Sequence, residues 1–311
     1  MKILIDYKLK DKYIEEMKEI VPEAEIVRAD DKATQKKEIV DTDILVSFIG
    51  FPLDILQYEE NLKWIQCWSA GVDNFTEPDY VQYLQENKIR LTSLSGVHKN
   101  VLTDHTFGFI LNFARRFSEL YELQKENEWN RDLRVGSLEG KTMAVIGLGS
   151  IGKEIASRGK AFKMDVIGVK RNTEKPVDNV DQLYSPDQLH EVLEKADYVV
   201  AIVPLTDETE GMFGREEFEA MKESAYFINM ARGEVVDEPE LIEALKEEKI
   251  AGAGLDVFVE EPLPEDSPLY SLDNVLLTPH MGGKFPEYNA KGIKIFLENL
   301  KQYKNGQFDD M

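Results

Sequence analysis

The chain has 311 residues, of which 42% are hydrophobic and 31% are charged, which is enough for about two globular domains of roughly 150 residues each and unlike a disordered composition. Its 59 acidic and 37 basic residues give a formal charge of -22, which repels nucleic-acid phosphates and anionic membranes, so neither is expected as a partner. No uncharged apolar run approaches the roughly 20 residues that span a bilayer, and the N-terminal segment carries charges where a signal peptide needs an apolar stretch, so we expect a cytoplasmic protein.

Short β-branched runs alternate with longer stretches of helical periodicity, which is typical of repeated βα units and a parallel sheet. The first set of predicted strands covers residues 2–6, 24–27, 43–49, 63–68 and 89–94. A helix is predicted from Lys12 to Ile20, between the first two strands. Cys67, the single cysteine, lies in an apolar strand and is expected to be a buried, inert thiol.

A long helical stretch, from about Val101 to Asn127, follows the first set and is expected to connect two domains. The second set of predicted strands covers residues 142–147, 165–169, 197–203, 225–230, 251–257 and 274–278. Six parallel strands make a full doubly wound sheet, so the pattern predicts an α/β fold of Rossmann type. Residues 286–304 return to helical periodicity and are expected to pack on the first domain.

The sequence GLGSIG at residues 147–152 is a complete G-x-G-x-x-G motif between a predicted strand and a predicted helix. Gly147 permits the tight turn, Gly149 lets the backbone approach a pyrophosphate, and Gly152 allows the helix to pack closely on the strand. Main-chain N–H groups at Ser150 and Ile151 are expected to face the anion. A glycine-rich turn can also join a strand to a helix without a ligand, but this context favours a dinucleotide site.

The end of the next predicted strand decides which nicotinamide cofactor is preferred. An acidic residue there binds the ribose 2′-hydroxyl of NAD, whereas a basic residue accommodates the 2′-phosphate of NADP. The segment reads GVKRNT, with Lys170 in the position of the acidic residue and Arg171 and Asn172 after it. These donors favour NADPH over NADH, and a solvated basic turn without a ligand is the alternative.

Five further sequence motifs accompany the glycine-rich motif. They are SAGVDNF at 69–75, GVHKNVLTDHTFGFIL at 96–111, NMARGEVVDE at 229–238, GLDVFVEEP at 254–262 and TPHMGG at 278–283. In order and spacing, nearly the whole chain resembles the D-isomer-specific 2-hydroxyacid dehydrogenase family, and the basic residues after GV favour its NADPH-preferring branch of glyoxylate, hydroxypyruvate or 2-keto acid reductases. The resemblance implies a Rossmann dinucleotide-binding domain over residues 98–285. It also implies a smaller flavodoxin-like α/β substrate domain made of residues 1–97 and 286–311.

The resemblance places the family's catalytic residues on Arg232, Glu261 and His280, and thus implies reduction of a 2-keto acid to a D-2-hydroxy acid. These residue types suit the reaction. The imidazole of His280 can donate a proton to the carbonyl oxygen and recover it in the reverse direction. Glu261 stabilises the imidazolium if the two side chains meet. The Arg232 guanidinium can hold the substrate carboxylate, and Gly233 is expected to leave room for close approach.

Other contacts are implied by the resemblance alone. Main-chain N–H groups of Ala70, Gly71 and Val72 are expected to bind the substrate carboxylate, in addition to the contacts of Arg232 and His280. Asp256 is expected to meet the nicotinamide carboxamide. The remaining implied cofactor contacts are Val203, Pro204, Thr209, Ala231 and Gly283.

Two other functions stay open at this point. A phosphoglycerate or formate dehydrogenase is the alternative enzyme, although the first domain has no obvious basic cluster for a substrate phosphate and the chain has no room for an appended regulatory domain. A catalytically silent nucleotide-sensing corepressor or scaffold is the alternative from another class, because fold alone does not fix function. The intact Arg232, Glu261 and His280 argue against it.

Metal binding and oligomeric state complete the expectations. His98, His105 and His190 have no metal-ligand spacing to a cysteine or another histidine, so structural roles and no metal are predicted. The resemblance implies a homodimer formed through the crossover helix and the region of Trp129. Trp64 and Trp68 are expected in the core or at an interface.

Overall fold

The computed structural model describes residues 1–48, 50–72 and 75–307. Backbone contacts divide the chain into two compact units. Unit 1 is Met1–Val97 with Phe285–Met311, and unit 2 is His98–Lys284. Among the described helices, none combines the length and the apolar character that a bilayer span requires.

Unit 1 contains a five-stranded parallel sheet. Its strands are β1 (Lys2–Ile5), β2 (Glu25–Arg28), β3 (Ile44–Ser47), β4 (Trp64–Cys67) and β5 (Arg90–Thr92). They are ordered β2-β1-β3-β4-β5, which is the flavodoxin-like order with its switch point between β1 and β3. Each strand of the first predicted set is present, so the flavodoxin-like prediction is confirmed. Ile49, at the end of the third predicted strand, lies outside the described residues.

Helices cover both faces of this sheet. They are α1 (Asp11–Ile20), α2 (Lys32–Glu38), α3 (Leu53–Leu56), α4 (Pro78–Glu86) and α11 (Tyr288–Lys304). Ile3 and Ile5 share one core with Phe296 and Leu300 of α11, whereas Leu4 points into a second core on the opposite face. Burial on both faces explains why the strands read as continuous apolar runs. The C-terminal helix therefore packs on the first domain as predicted, and Cys67, Trp64 and Trp68 are buried.

Unit 2 contains a seven-stranded parallel sheet. Its strands are β6 (Thr142–Ile146), β7 (Asp165–Val169), β8 (Gln182–Tyr184), β9 (Tyr198–Ala201), β10 (Tyr226–Asn229), β11 (Gly252–Leu255) and β12 (Val275–Leu277). The order β12-β11-β10-β9-β6-β7-β8 is doubly wound, with its switch point between β6 and β9. The Rossmann prediction is confirmed, but the predicted strand number is wrong, because β8 adds a seventh strand at one edge.

The helices of unit 2 alternate with its strands. They are α5 (Lys99–Arg115), α6 (Phe117–Lys125), α7 (Ser150–Ala161), α8 (Leu189–Lys195), α9 (Arg215–Ala220) and α10 (Glu238–Lys246). The single helical stretch predicted from Val101 to Asn127 is wrong, since α5 and α6 are separate helices. Arg116 between them has a left-handed φ of 55°, which ends the regular helix, and its N–H donates to the carbonyl of Asn112.

The two faces of this sheet are also covered. Met143 and Val145 of β6 pack with residues of α5 and α7, whereas Ala144 and Ile146 pack with residues of α8, α9 and α10. This three-layer arrangement leaves the carboxyl ends of the strands, and the loops that follow them, as the edge where ligands bind in doubly wound folds.

Candidate active site

The glycine-rich turn lies at the switch point of the unit 2 sheet. Gly147 has a φ of 105°, and a Cβ there would lie 2.6 Å from the carbonyl oxygen of Ile202, which follows β9. A Cβ on Gly152 would lie 1.9 Å from the carbonyl oxygen of Gly147, so α7 packs as closely as the motif predicts. Gly149, the N-cap of α7, has no neighbouring atom within 4 Å of its Cβ position. Ser150 and Ile151 begin α7, so their N–H groups lack intrahelical acceptors.

The predicted selector of the cofactor follows β7, next to the glycine-rich strand. Lys170 is half-buried, and its N–H donates to the carbonyl of Tyr184 in β8 at 3.1 Å. Arg171 and Asn172 are exposed. Two positive charges therefore lie at the end of β7, where the protein contacts the 2′ substituent of a dinucleotide's ribose in this fold.

The other implied cofactor residues lie in loops of the same unit. Val203 follows β9, and its Cγ1 lies 3.0 Å from the Cβ position of Gly147. Thr209 Oγ1 donates to the carbonyl of Pro204 at 2.6 Å, which folds the loop after β9 on itself. The Gly283 carbonyl lies 2.9 Å from His98 Nδ1. A contact of these residues with a cofactor stays a prediction.

Arg232 lies in the turn after β10, and Asn229 fixes that turn. The Asn229 side-chain oxygen accepts from Ala231 N at 3.0 Å, and its side-chain amide donates to the Arg232 carbonyl at 2.9 Å. The guanidinium is half-buried and donates from Nη1 to the Ala231 carbonyl at 2.8 Å. A Cβ on Gly233 would lie 1.9 Å from the main-chain carbon of Phe258. The space beside Gly233 is thus filled by the backbone after β11.

Glu261 and His280 meet where the loops after β11 and β12 run together. Glu261 Oε1 accepts from Phe258 N at 3.1 Å, and Glu261 Oε2 lies 2.7 Å from His280 Nδ1. The contact expected between these side chains is therefore present. With Nδ1–H directed at the carboxylate, Nε2 is the ring nitrogen left for a substrate. The His280 side chain is 49% exposed, so a ligand can reach it.

Asp256, at the end of β11, is 2% exposed. Its Oδ1 accepts from Thr278 Oγ1 at 2.6 Å and from Met281 N at 2.9 Å, and its Oδ2 accepts from Gly282 N at 2.9 Å. Its carbonyl accepts from His280 N at 2.8 Å. Asp256 therefore fixes the loop that carries His280. The predicted contact with the nicotinamide carboxamide stays a prediction.

In unit 1, the predicted substrate loop follows β4. Ala70, Gly71 and Val72 are half-buried. Ser69 Oγ donates to the Gly71 carbonyl, and Cys67 Sγ lies 3.5 Å from the same oxygen. These contacts shape the first turn of the loop. Residues 73–74 of the same motif lie outside the described residues, and binding of a carboxylate by the amides of the loop stays a prediction.

The other three histidines have partners within unit 2. Burial lowers the pKa of His98, whose Nδ1 faces the Gly283 carbonyl. His105 Nε2 lies 2.9 Å from Thr278 Oγ1, and His190 Nε2 lies 2.9 Å from Glu217 Oε1. Within the ranges that the structure describes, no three His, Cys, Asp or Glu side chains are grouped to hold a metal ion.

The edge of the unit 2 sheet thus carries an imidazole–carboxylate pair and a guanidinium in loops after neighbouring strands. The pair can exchange a proton with a bound ligand, and the guanidinium can bind a carboxylate. Sequence analysis missed Asn229 and Thr278 as supports of these loops. Both had the same signal, because each is a polar residue at or next to the end of a largely apolar predicted strand.

Comparison with known proteins gives a consistent result. The family model for the NAD binding domain of D-isomer specific 2-hydroxyacid dehydrogenases matches residues 107–282. D-3-phosphoglycerate dehydrogenase of Methanocaldococcus jannaschii is 36% identical over 310 residues, which is 99% of this chain but only 58% of that protein. Glyoxylate reductase of Korarchaeum cryptofilum is 34% identical over 292 residues, which is 89% of this chain and 86% of that protein. Among solved structures, a D-isomer specific 2-hydroxyacid dehydrogenase from Xanthobacter autotrophicus, in complex with NADPH and MES, is similar to this chain. The TM-score is 0.83 and the sequence identity is 27%, and the match covers 98% of this chain and 95% of that one.

Proposed function

The chain belongs to the D-isomer specific 2-hydroxyacid dehydrogenase family, whose members are NAD(P)-dependent enzymes, and we propose that it reduces a 2-keto acid to the D-2-hydroxy acid. The observation that carries the proposal is the 2.7 Å contact between His280 Nδ1 and Glu261 Oε2. This pair lies in loops after strands of the same sheet whose switch point carries the glycine-rich turn. The D configuration of the product rests on family membership.

The glycine-rich turn fits a dinucleotide. Gly149 leaves its Cβ position open, and α7 begins there with N–H groups that can bind a pyrophosphate. The residues that would hold it are Gly147, Gly149, Ser150, Ile151 and Gly152. A reduced nicotinamide, when bound, supplies the hydride that the keto carbon receives.

The chain's own residues then manage the proton and the substrate. His280 donates a proton from Nε2 to the carbonyl oxygen, while Glu261 keeps the ring oriented through Nδ1 and stabilises the imidazolium before transfer. Arg232 binds the substrate carboxylate and polarises the carbonyl group. The amides of residues 70–72 are proposed as further carboxylate donors.

NADPH is proposed as the preferred cofactor, with NADH as the alternative. Lys170 and Arg171 place positive charge at the end of β7, and Asn172 adds a neutral donor. These donors can bind a 2′-phosphate, whereas a 2′-hydroxyl is bound best by a carboxylate, which this position lacks. The related NADPH complex supports the choice.

The test is the loss of absorbance of NADPH or NADH with a panel of 2-keto acids, including glyoxylate, hydroxypyruvate, pyruvate and branched or aromatic analogues. The panel is run in parallel with His280→Ala, and 3-phosphoglycerate is added in the oxidising direction to test the phosphoglycerate dehydrogenase alternative. Turnover that the substitution abolishes supports the proposal. NADPH binding without turnover of any 2-keto acid contradicts it and favours the sensing-scaffold function instead.

A homodimer is proposed as the assembly, and a cytoplasmic location stays a prediction from the sequence. Phe117, Tyr121 and Trp129 are 55%, 57% and 90% exposed in and after α6, and a second copy of the chain is the proposed cover for this apolar segment. Sedimentation equilibrium at micromolar concentration should give the dimer mass. A monomer mass would contradict the assembly but leave the proposed reaction standing.

A further inference from the structure

We infer that His105 is a positioning residue for the acid–base loop, residues 278–282, and acts on it through Thr278 and Asp256. The inference rests on the proposed function, since it takes His280 as the proton donor. Its basis is a chain of hydrogen bonds that joins α5, the end of β11 and the loop after β12, all within unit 2.

The loop needs an external support because His280 is in an unfavourable conformation. Its φ of 47° lies in the left-handed region, which is unfavourable for an L-residue with a Cβ atom. The support comes from Asp256, whose carbonyl and carboxylate together accept the N–H groups of His280, Met281 and Gly282. The conformation of the loop therefore depends on where the Asp256 carboxylate is held.

Thr278 and His105 complete the shell of this carboxylate. Two main-chain N–H groups already donate to the Asp256 carboxylate, whose oxygens act as acceptors here. The Thr278 hydroxyl has one proton, and at 2.6 Å it donates that proton to Asp256 Oδ1. His105 Nε2, at 2.9 Å from Thr278 Oγ1, must then be the donor of the next bond. Nε2 also lies 3.6 Å from Asp256 Oδ1, so the ring adds a second attraction.

The His105 ring is itself fixed by packing. It lies edge-on to Phe109 in the next turn of α5, with ring centroids 5.0 Å apart and planes at 85°. Phe109 in turn packs on β11, where its Cγ lies 2.7 Å from the Cβ position of Gly254. The missing side chain of Gly254 thus lets α5 approach the strand that ends at Asp256, and His105 is held in reach of Thr278.

Loss of this support should affect proton transfer more than substrate binding. The loop carries His280, whereas Glu261 and Arg232 are held by separate contacts with Phe258 and Asn229. A shift of the loop therefore moves the imidazole away from its carboxylate partner and leaves the guanidinium in place. A misplacement of about 1 Å can lower a rate about 100-fold.

The kinetic test compares His105→Ala and Thr278→Val with two conservative variants. His105→Gln supplies an amide N–H donor in place of the imidazole N–H, and Thr278→Ser retains the hydroxyl. We expect kcat to fall about 10- to 100-fold in the first pair, with KM within about threefold of the native value, and to recover to within about fivefold in the second pair. His190→Ala, which removes an exposed histidine of α8, is the matched control and should keep the native kcat. A kcat within twofold of native in His105→Ala would overturn the inference.

Hydrogen exchange separates this inference from the proposed reaction, because it needs no turnover. In His105→Ala, the amides of Met281 and Gly282 should exchange at least about tenfold faster, while those of β11 keep their native rates. Unchanged exchange in the loop, or equal acceleration in β11, would overturn the positioning role. If the native protein reduces no 2-keto acid, the proposed function fails, and exchange still decides whether His105 supports the loop.

Discussion

Replacing Asp6 with asparagine should stabilise unit 1 at neutral pH and change its stability little near pH 4. Asp6 follows β1 at the switch point of the sheet, and burial raises the pKa of its carboxyl to about 6 against the opposing hydrogen bonds from Ser47 and Phe48. Ser47 Oγ lies 2.7 Å from Asp6 Oδ2 and 2.9 Å from the Gly50 carbonyl. Ser47 has one proton to donate, so both contacts are full hydrogen bonds when a protonated Asp6 donates to Ser47 Oγ and Ser47 donates to the Gly50 carbonyl. In the described part of the chain, Asp6 Oδ1 is buried without a hydrogen-bond partner.

The sign of the effect follows from linkage between protonation and folding. An acid whose pKa is higher in the folded protein than in the unfolded chain binds its proton more tightly when folded. Ionisation of Asp6 therefore destabilises the fold. This penalty is absent at a pH below the ordinary pKa of 3.8 and complete at a pH above about 6. At about 1.4 kcal/mol per pH unit, this difference corresponds to roughly 3 kcal/mol. Asparagine carries no charge and escapes the penalty.

Urea unfolding between about pH 4 and pH 8 measures this penalty. Trp64 and Trp68 are buried in unit 1, whereas Trp129 of unit 2 is 90% exposed, so a Trp129→Phe background makes tryptophan fluorescence report unit 1. The stability gained by Asp6→Asn should rise by roughly 3 kcal/mol across this range, with most of the rise between pH 4 and pH 6. Asp30→Asn, which replaces an exposed aspartate of the same unit, is the control and should show no such rise.

A gain that stays constant with pH would refute the reasoning, because it would mean that the side-chain swap acts by packing or by a new hydrogen bond. An Asp6→Asn protein that is less stable than the native protein near pH 8 would refute it more directly. Ionised Asp6 would then be a net stabilising group.

Three further substitutions test the cofactor turn and the acid–base pair. Gly152→Ala places a Cβ against the Gly147 carbonyl and should weaken NADPH binding at least about tenfold by fluorescence titration, whereas Gly108→Ala, which meets open space on α5, should not. Lys170→Asp should lower kcat/KM with NADPH about 100-fold and leave that with NADH nearly unchanged, and an equal loss with both cofactors would contradict its selective role. Glu261→Gln keeps the shape of the partner of His280 but not its charge. It should lower kcat for reduction about tenfold or more with little change in KM, and an unchanged kcat in steady-state assays would exclude Glu261 from the acid–base pair.

The sequence predicted the strands well because most of them are buried on both faces. Ile3, Leu4 and Ile5 point alternately into two cores, so the run must be apolar throughout, and such runs are easy to recognise. β8 was missed because its three residues, Gln182–Tyr184, include no β-branched residue and begin with an exposed glutamine, whereas the equally short β12 is an apolar run of valine and two leucines.

Local backbone conformation and long-range contacts were harder to predict. Nothing in the sequence around Arg116 signals that a non-glycine residue ends α5 in a left-handed conformation. Gly233 was expected to make room for a ligand, but its neighbour is the backbone of Phe258, which is distant in sequence. The support of Asp256 by Thr278 likewise depends on the register of two strands, β11 and β12, which single residues do not encode.

The left-handed backbone at His280 bears on how complexes of this protein can be captured. Alanine at this position removes the imidazole but keeps the conformational cost of a positive φ. The loop of the His280→Ala protein can therefore relax away from its native conformation. Asparagine adopts this conformation more readily than most side chains do. With His280 as the proposed proton donor, the His280→Asn protein should be inactive yet keep its loop in place, which makes it the better choice for trapping the proposed substrate and cofactor together in a crystal.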